Sequence, residues 1–173
     1  MATFPLSTSN YDLVPLNQSH KTLYVSLYTN IQVMNFIGKP ANKIQAETYF
    51  KKAHKASNKK DNTYYIWCIK PHSQKEGVGF TVLICDRKGS AEIGTLLLPK
   101  NQSSSVAEEV MHKTIEVGFS DLELKSIFAY YSTNHIAAEK LVNKLGFTIT
   151  NGTHHLSNRP ISTYSYITVD NFT

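Results

Sequence analysis

At 173 residues, 41% hydrophobic and 18% charged, the chain has an ordinary globular composition and the length of one domain that buries its core without disulfides. Collagenous and disordered classes are excluded. The net charge of +5 invites a nucleic-acid reading, but the basic residues are mostly lysines, with Arg87 and Arg159 the only arginines, and base readers favour arginine. No apolar run approaches the roughly 18 residues of a membrane helix, and the segment from Met1 to Leu6 lacks a basic region followed by an apolar one. A cytoplasmic protein with no membrane association and no direct nucleic-acid partner is expected, as a monomer or homodimer.

In chain order, residues 11–16 form a short apolar strand that Pro15 places at an edge or a strand end, and Asn17 offers a helix cap before Leu23, Tyr24, Leu27 and Tyr28. A second short helix is predicted over 31–37, broken by Gly38, Lys39 and Pro40 ahead of a helix over 41–57. That helix sets Ala46, Tyr49, Phe50 and Ala53 at helical spacing against Lys51, Lys52, Lys55, Lys59 and Lys60, which read as a solvated face. From Thr63 the pattern changes to three antiparallel strands, 64–70, 78–85 and 91–98, separated by turn-forming segments. Cys68 and Cys85 lie inside these strands out of register with each other, so no disulfide is expected. A helix from about Ser105 aligns Ala107, Val110, Met111, Thr114, Ile115 and Gly118 in one stripe. Residues 126–131 read as an interior strand covered on both faces. A further helix buries Ala138, Leu141, Val142 and Leu145, and strands at 147–150 and 163–169 close the chain around a loop with His154 and His155. No repeat or linker divides the sequence, so a single domain over 1–173 is expected.

The strand at 91–98, the polar turn after it and the helix from Ser105 make an anion site, because the first N–H groups of a helix lack intrahelical partners and sit at the positive end of its dipole. Ser105 followed by Glu108 also satisfies a capping box, which needs no ligand. Across residues 90–147 the order of elements, Glu92-Ile93-Gly94, Pro99, the turn from Gln102 to Ala107 and the closing Lys144-Leu145-Gly146-Phe147 together resemble the GNAT superfamily of N-acyltransferases. Within it, the chain is most similar to the ribosomal-protein N-terminal acetyltransferase branch. The resemblance implies an α/β (α+β) GNAT fold: a mixed, mostly antiparallel sheet of about seven strands, flanked by helices and splayed between strands four and five.

The resemblance further implies acetyl-CoA as cosubstrate, no metal, and transfer of acetyl to a primary amine, either a protein N-terminus or a small amine. The alternative is a non-catalytic domain of this fold that binds an acyl-CoA or a protein partner. In the family the phosphate turn reads Q or R, x, x, G, x, G or A. Gln102 fits the first position and Ala107 the last, while Ser105 stands at the first glycine, so Gln102, Ser103, Ser104, Ser105, Val106 and Ala107 are the implied pyrophosphate contacts. If that glycine position needs a positive φ, serine costs about 1 to 2 kcal/mol. Hydroxyls donating to phosphate would return about 1.5 to 3 kcal/mol. Leu96, Leu97 and Leu98 would offer a backbone edge to the pantetheine arm, and Asn134, one residue ahead of the family's asparagine position at His135, is the remaining implied cofactor contact: either the turn carries an insertion or His135 substitutes.

Acetyl transfer to an amine needs a neutral nucleophile, a donor for the developing oxyanion and a proton for the thiolate. Glu92 is the candidate base, directly or through water. The positions at which relatives carry a tyrosine or serine acid align here with Val142 and Ala138, so the candidate donor is Tyr130, with Tyr131 beside it.

Overall fold

The computed structural model describes residues 3–59, 63–102 and 104–172. Its eight strands form one sheet: β1 (Leu6–Ser7), β2 (Tyr11–Pro15), β3 (Tyr64–Pro71), β4 (Gly79–Cys85), β5 (Ser90–Leu97), β6 (Ser126–Ser132), β7 (Thr148–Ile149) and β8 (Ser162–Thr168). The strand order is β1-β2-β3-β4-β5-β6-β8-β7, and every pair is antiparallel except β5 with β6. Five helices flank it, α1 (Lys21–Thr29), α2 (Ile31–Met34), α3 (Lys43–Ser57), α4 (Ser104–Ser120) and α5 (Ile136–Lys144). One strand more than expected is present. The additional β1 is two residues long and held by a turn in which Thr8 N donates to Tyr11 O at 2.8 Å, too short for a period-two signal.

Helix starts follow their caps. Asn17 caps a single 3₁₀ turn ahead of α1, accepting from Ser19 N at 2.9 Å. Asn42 and Gln45 exchange side chain and backbone bonds at 2.9 Å each to open α3, two residues later than predicted. α2, capped by Asn30, stops at Met34 rather than Ile37: Ile37 N and Gly38 N both donate to Met34 O at 2.9 Å, which closes a turn in place of further helix. On α3, Ala46, Phe50 and Ala53 are buried whereas Tyr49 is 41% exposed, against expectation. Lys51, Lys52, Lys55 and Lys59 are exposed, as a solvated face requires, and Lys60 lies outside the described residues.

The sheet has a core on each face. One lies under α4 and α5 and includes Tyr65, Trp67, Ile69, Val110, Ile115 and Ile127; the other lies under α1 and α3 and includes Tyr24, Leu27, Phe50, Ile66, Cys68 and Phe80. Alternate residues of β3 thus enter opposite cores, which is why its sequence reads as an unbroken apolar run. Trp67 is fully buried and its Nε1 donates to Phe4 O at 2.6 Å, which ties the N-terminal segment to the sheet. β6 departs from the expected two-sided burial. Ile127, Ala129 and Tyr131 are buried, but Phe128 and Tyr130 are half-buried in a row with Tyr164 and Tyr166 of β8, because α1 and α3 pack against the other end of the sheet. Both cysteines are free thiols.

Candidate active site

β5 and β6 are eight and seven residues long, yet their parallel ladder pairs only Ser90 with Ser126, Ala91 with Ile127 and Glu92 with Phe128. Beyond Glu92 the two strands part. The expected splay is present, between the fifth and sixth strands because β1 shifts the count by one. Register parity decides which backbone groups face the gap. Ser90 O accepts from Asp86 N at 2.7 Å and Leu98 N donates to Val78 O at 2.9 Å, so even-numbered residues of this segment spend their backbone on the β4 side. Ile93 N faces β6 at the last pair of the ladder, so Thr95 and Leu97 are the residues that turn their amide groups into the gap. Of the expected edge, Leu97 holds, while Leu96 and Leu98 do not present their backbone there. Thr95 replaces them.

A cavity of about 470 Å³ fills the divergence and extends to both faces of the sheet. Glu92, Leu96, Leu97, Gln102, Ala107 and Tyr130 border it, so six of the sequence-predicted residues converge on one space. Leu98 instead packs against the core under α1 and α3, and Val106 is 5% exposed in the core under α4. Ser105 sits exposed in the first turn of α4. Among described residues other than glycine only Glu123 and Asn158 have a positive φ, so the expected strain of a serine at position 105 does not arise. Ser103 and the side chain of Ser104 lie outside the described residues. Asn134 is exposed in the turn before α5, off the cavity, and its neighbour His135 borders the cavity instead, stacked on Phe36 with centroids 4.3 Å apart.

The chemistry of the lining groups is set by their neighbours. The Glu92 carboxylate accepts from Nη1 of Arg159, on the loop between β7 and β8. Tyr130 packs its ring against Phe128, His154 and Tyr164. Tyr131 points to the opposite face, 7% exposed, and its hydroxyl is buried without a hydrogen-bond partner. Burial, and then the negative charge of Glu139, pushes its pKa above the ordinary tyrosine value, so the proton stays on at neutral pH. The same physics disarms the thiols. Burial pushes Cys68 up to about 12 and Cys85 up to about 11, leaving neither a thiolate for an acyl-enzyme. Among the described residues no group of three His, Cys, Asp or Glu side chains is placed to hold a metal ion.

Burial also lowers the pKa of His20 and His135. A lowered folded-state value means that stability is full above the unfolded value of about 6.5 and is lost as pH falls below it. The carboxyls of Asp86 and Glu109 are likewise held low, Asp86 chiefly by backbone N–H bonds and Glu109 by bonds from Thr8 and Asn10 that outweigh its desolvation. Their contribution is lost only at more acid pH, so the melting temperature is expected to be flat above about pH 7 and to fall in two stages, from about pH 6.5 and again below about pH 4.5. A scan of melting temperature from pH 8 to 4 checks this.

The model of the acetyltransferase (GNAT) domain matches residues 12–148 of the chain. The chain belongs to the GNAT acetyltransferase family. A curated relative, the uncharacterized N-acetyltransferase YoaA of Bacillus subtilis (strain 168), is 34% identical over 84 residues, which is 47% of this chain and 47% of that relative, so the match spans about half of each. Among solved structures, the spermidine N-acetyltransferase from Vibrio cholerae in complex with CoA and spermine superposes with a TM-score of 0.78 at 19% identity, over 94% of this chain and 98% of that one. RimL, a ribosomal L7/L12 alpha-N-protein acetyltransferase in complex with coenzyme A, superposes with a TM-score of 0.80 at 11% identity, over 97% and 99%. At these identities the superpositions establish the GNAT fold. Of the cavity-lining groups, Arg159 and Tyr131 were the hardest to place from the sequence: an arginine in a polar loop has no spacing signal, and two adjacent strand tyrosines differ only in which face each takes.

Proposed function

We propose that this GNAT chain transfers the acetyl group of acetyl-CoA to a primary amine by direct attack, without an acyl-enzyme. The observation that carries the reading is the ladder that stops at Glu92, opening a cavity between strand edges with the first turns of α4 at one end and a carboxylate at its apex. The N-terminus of α4 would hold the pyrophosphate through backbone N–H groups and its dipole, with Gln102 bracing the approach, since its Nε2 donates to Leu97 O at 3.2 Å. The gap-facing backbone of Thr95 and Leu97 would pair with the pantetheine arm, and an N–H from this edge aimed at the thioester oxygen would stabilise the oxyanion.

In the transfer the amine lone pair forms a C–N bond to the thioester carbon and the C–S bond breaks, its electron pair passing to sulfur. The nitrogen loses a proton towards Glu92, directly or through water, and Tyr131 gives its phenolic proton to the sulfur before being reprotonated from solvent. Tyr131 takes the role the sequence assigns to Tyr130, because it carries the buried hydroxyl that lacks a partner. The reading includes a cytoplasmic location, supported by two cysteines that are both free thiols and by the lack, among the described residues, of a helix long and apolar enough to cross a membrane.

Two measurements test it. Calorimetric titration with acetyl-CoA is expected to show binding, and free thiol release is expected to depend on added amine. No heat at about 1 mM acetyl-CoA, a concentration that still detects affinities near −4 kcal/mol, would overturn the reading, while tight binding without turnover would favour a non-catalytic acyl-CoA-binding domain.

A further inference from the structure

Among the described residues lining the cavity, Glu92 and Arg159 are the only carboxylate and the only lysine or arginine, and they are paired with each other. Their side chains remain 23% and 37% exposed, so an incoming ligand can reach both. The bond between them uses Nη1 and Oε1, whereas a guanidinium has five N–H donors and a carboxylate about four lone-pair sites. Arg159 is held at this place by the backbone. Asn158 before it has a φ of +60°, and a Cβ built on Gly38 would lie 2.7 Å from Asn158 O, so the loop after β7 is seated against the loop after α2 through a contact that only glycine permits.

We propose that the amine acceptor is a zwitterion of the amino-acid type, with a carboxylate next to its amine and an apolar side chain. The inference rests on the acetyl-transfer reading above. An ammonium set against Glu92 and a carboxylate set against Arg159 close a ring of four alternating charges, keeping the protein's ion pair and adding two charge-assisted contacts, the one to Arg159 in the fork geometry that suits carboxylates. The spacing of adjacent amine and carboxylate groups matches a pair of side chains already in contact. Loss of a proton to Glu92 then frees the amine that Arg159 has positioned through the carboxylate. A polycation has no such fit, because its further ammonium groups find no second carboxylate in the cavity and meet a chain of net charge +5. A peptide N-terminus leaves Arg159 opposite an amide instead of an anion. The side chain has its own wall, formed by Tyr24, Tyr28, Phe36, Ile66 and Val82, in which the rings of Tyr24 and Tyr28 stack at 4.6 Å.

The test compares L-phenylalanine and L-leucine with phenethylamine, spermidine and a tetrapeptide bearing a free N-terminus as acceptors, with acetyl-CoA binding measured separately by calorimetry. The amino acids are expected to exceed phenethylamine and spermidine in kcat/KM by about tenfold or more, the scale of one charge-assisted contact. Arg159→Gln is expected to abolish the advantage of L-phenylalanine over phenethylamine, and Arg159→Lys to keep part of it. A wild-type protein that prefers spermidine, phenethylamine or the peptide overturns the inference and leaves the acetyltransferase reading standing, as does an amino-acid preference that persists in Arg159→Gln. Loss of acetyl-CoA binding in the wild type overturns that reading and the inference with it.

Discussion

Replacing Tyr131 by phenylalanine is expected to lower kcat about 10²- to 10³-fold while acetyl-CoA affinity stays within about threefold, the signature of a lost proton transfer. The hydroxyl is buried and has no partner in the protein, and Tyr131 is one of the residues lining the cavity, so no hydrogen bond of the fold depends on it. Removing an unsatisfied buried hydroxyl relieves its desolvation, and the variant should melt no lower than the wild type and up to about 1 kcal/mol more stably. That combination, a large loss of rate with unchanged or increased stability, is what a core-packing role for Tyr131 would not produce. The pH profile supplies a second readout. Because burial raises the Tyr131 pKa, the donor form persists through neutral and mildly alkaline pH, and the wild-type rate should fall only above the ordinary tyrosine range of about 10. Tyr131→Phe should lack that limb. A kcat within threefold of wild type would remove Tyr131 from the mechanism.

Gly79→Ala is expected to destabilise the protein by about 3 kcal/mol, or about 6 to 12 °C in melting temperature for a chain of this size. A Cβ at this position would meet Leu96 O at 2.1 Å, Leu97 Cδ2 at 2.8 Å and Leu97 Cα at 3.0 Å. The first and last of these are backbone, so the clash cannot be relieved by a rotamer change. It can be relieved only by pushing the end of β5 away from β4, towards the gap in which Leu97 presents its amide. Loss of stability should therefore be accompanied by a rise in the KM for acetyl-CoA. Gly94→Ala is the matched control on the facing strand, where the added methyl meets only Val82 Cγ1 at 3.4 Å, and its cost should stay below about 1 kcal/mol. A Gly79→Ala protein melting within about 2 °C of wild type would show that β5 has room to move.

Much of the architecture was legible because it is governed by contacts close in sequence. The stripe on α4 and the cap at Asn17 depend on residues no more than four apart, and β3 announced its double burial through an unbroken apolar run. The motif reading from Glu92 to Phe147 located the gap and its helix start, and Glu92, Leu97, Gln102 and Ala107 do converge there. The departures share one cause. Leu96 and Leu98 were expected at the open edge but turn their backbone to β4, and the choice between Tyr130 and Tyr131 as donor depends on the same strand parity, since a one-residue difference sends a side chain or an amide to the other side of the sheet.

By itself, then, the sequence carried the motifs whose resemblance pointed to the family, and it determined the order of elements and the segment where a cosubstrate's phosphates would meet a helix, since these last two follow from local periodicity and helix-end chemistry. Only the tertiary structure decided which groups face the cavity. The parallel ladder that stops after three pairs joins residues 36 apart, and the ion pair of Glu92 with Arg159 spans 67. Neither leaves a trace in local pattern, because long-range register and loop seating are set by how two cores pack on one sheet.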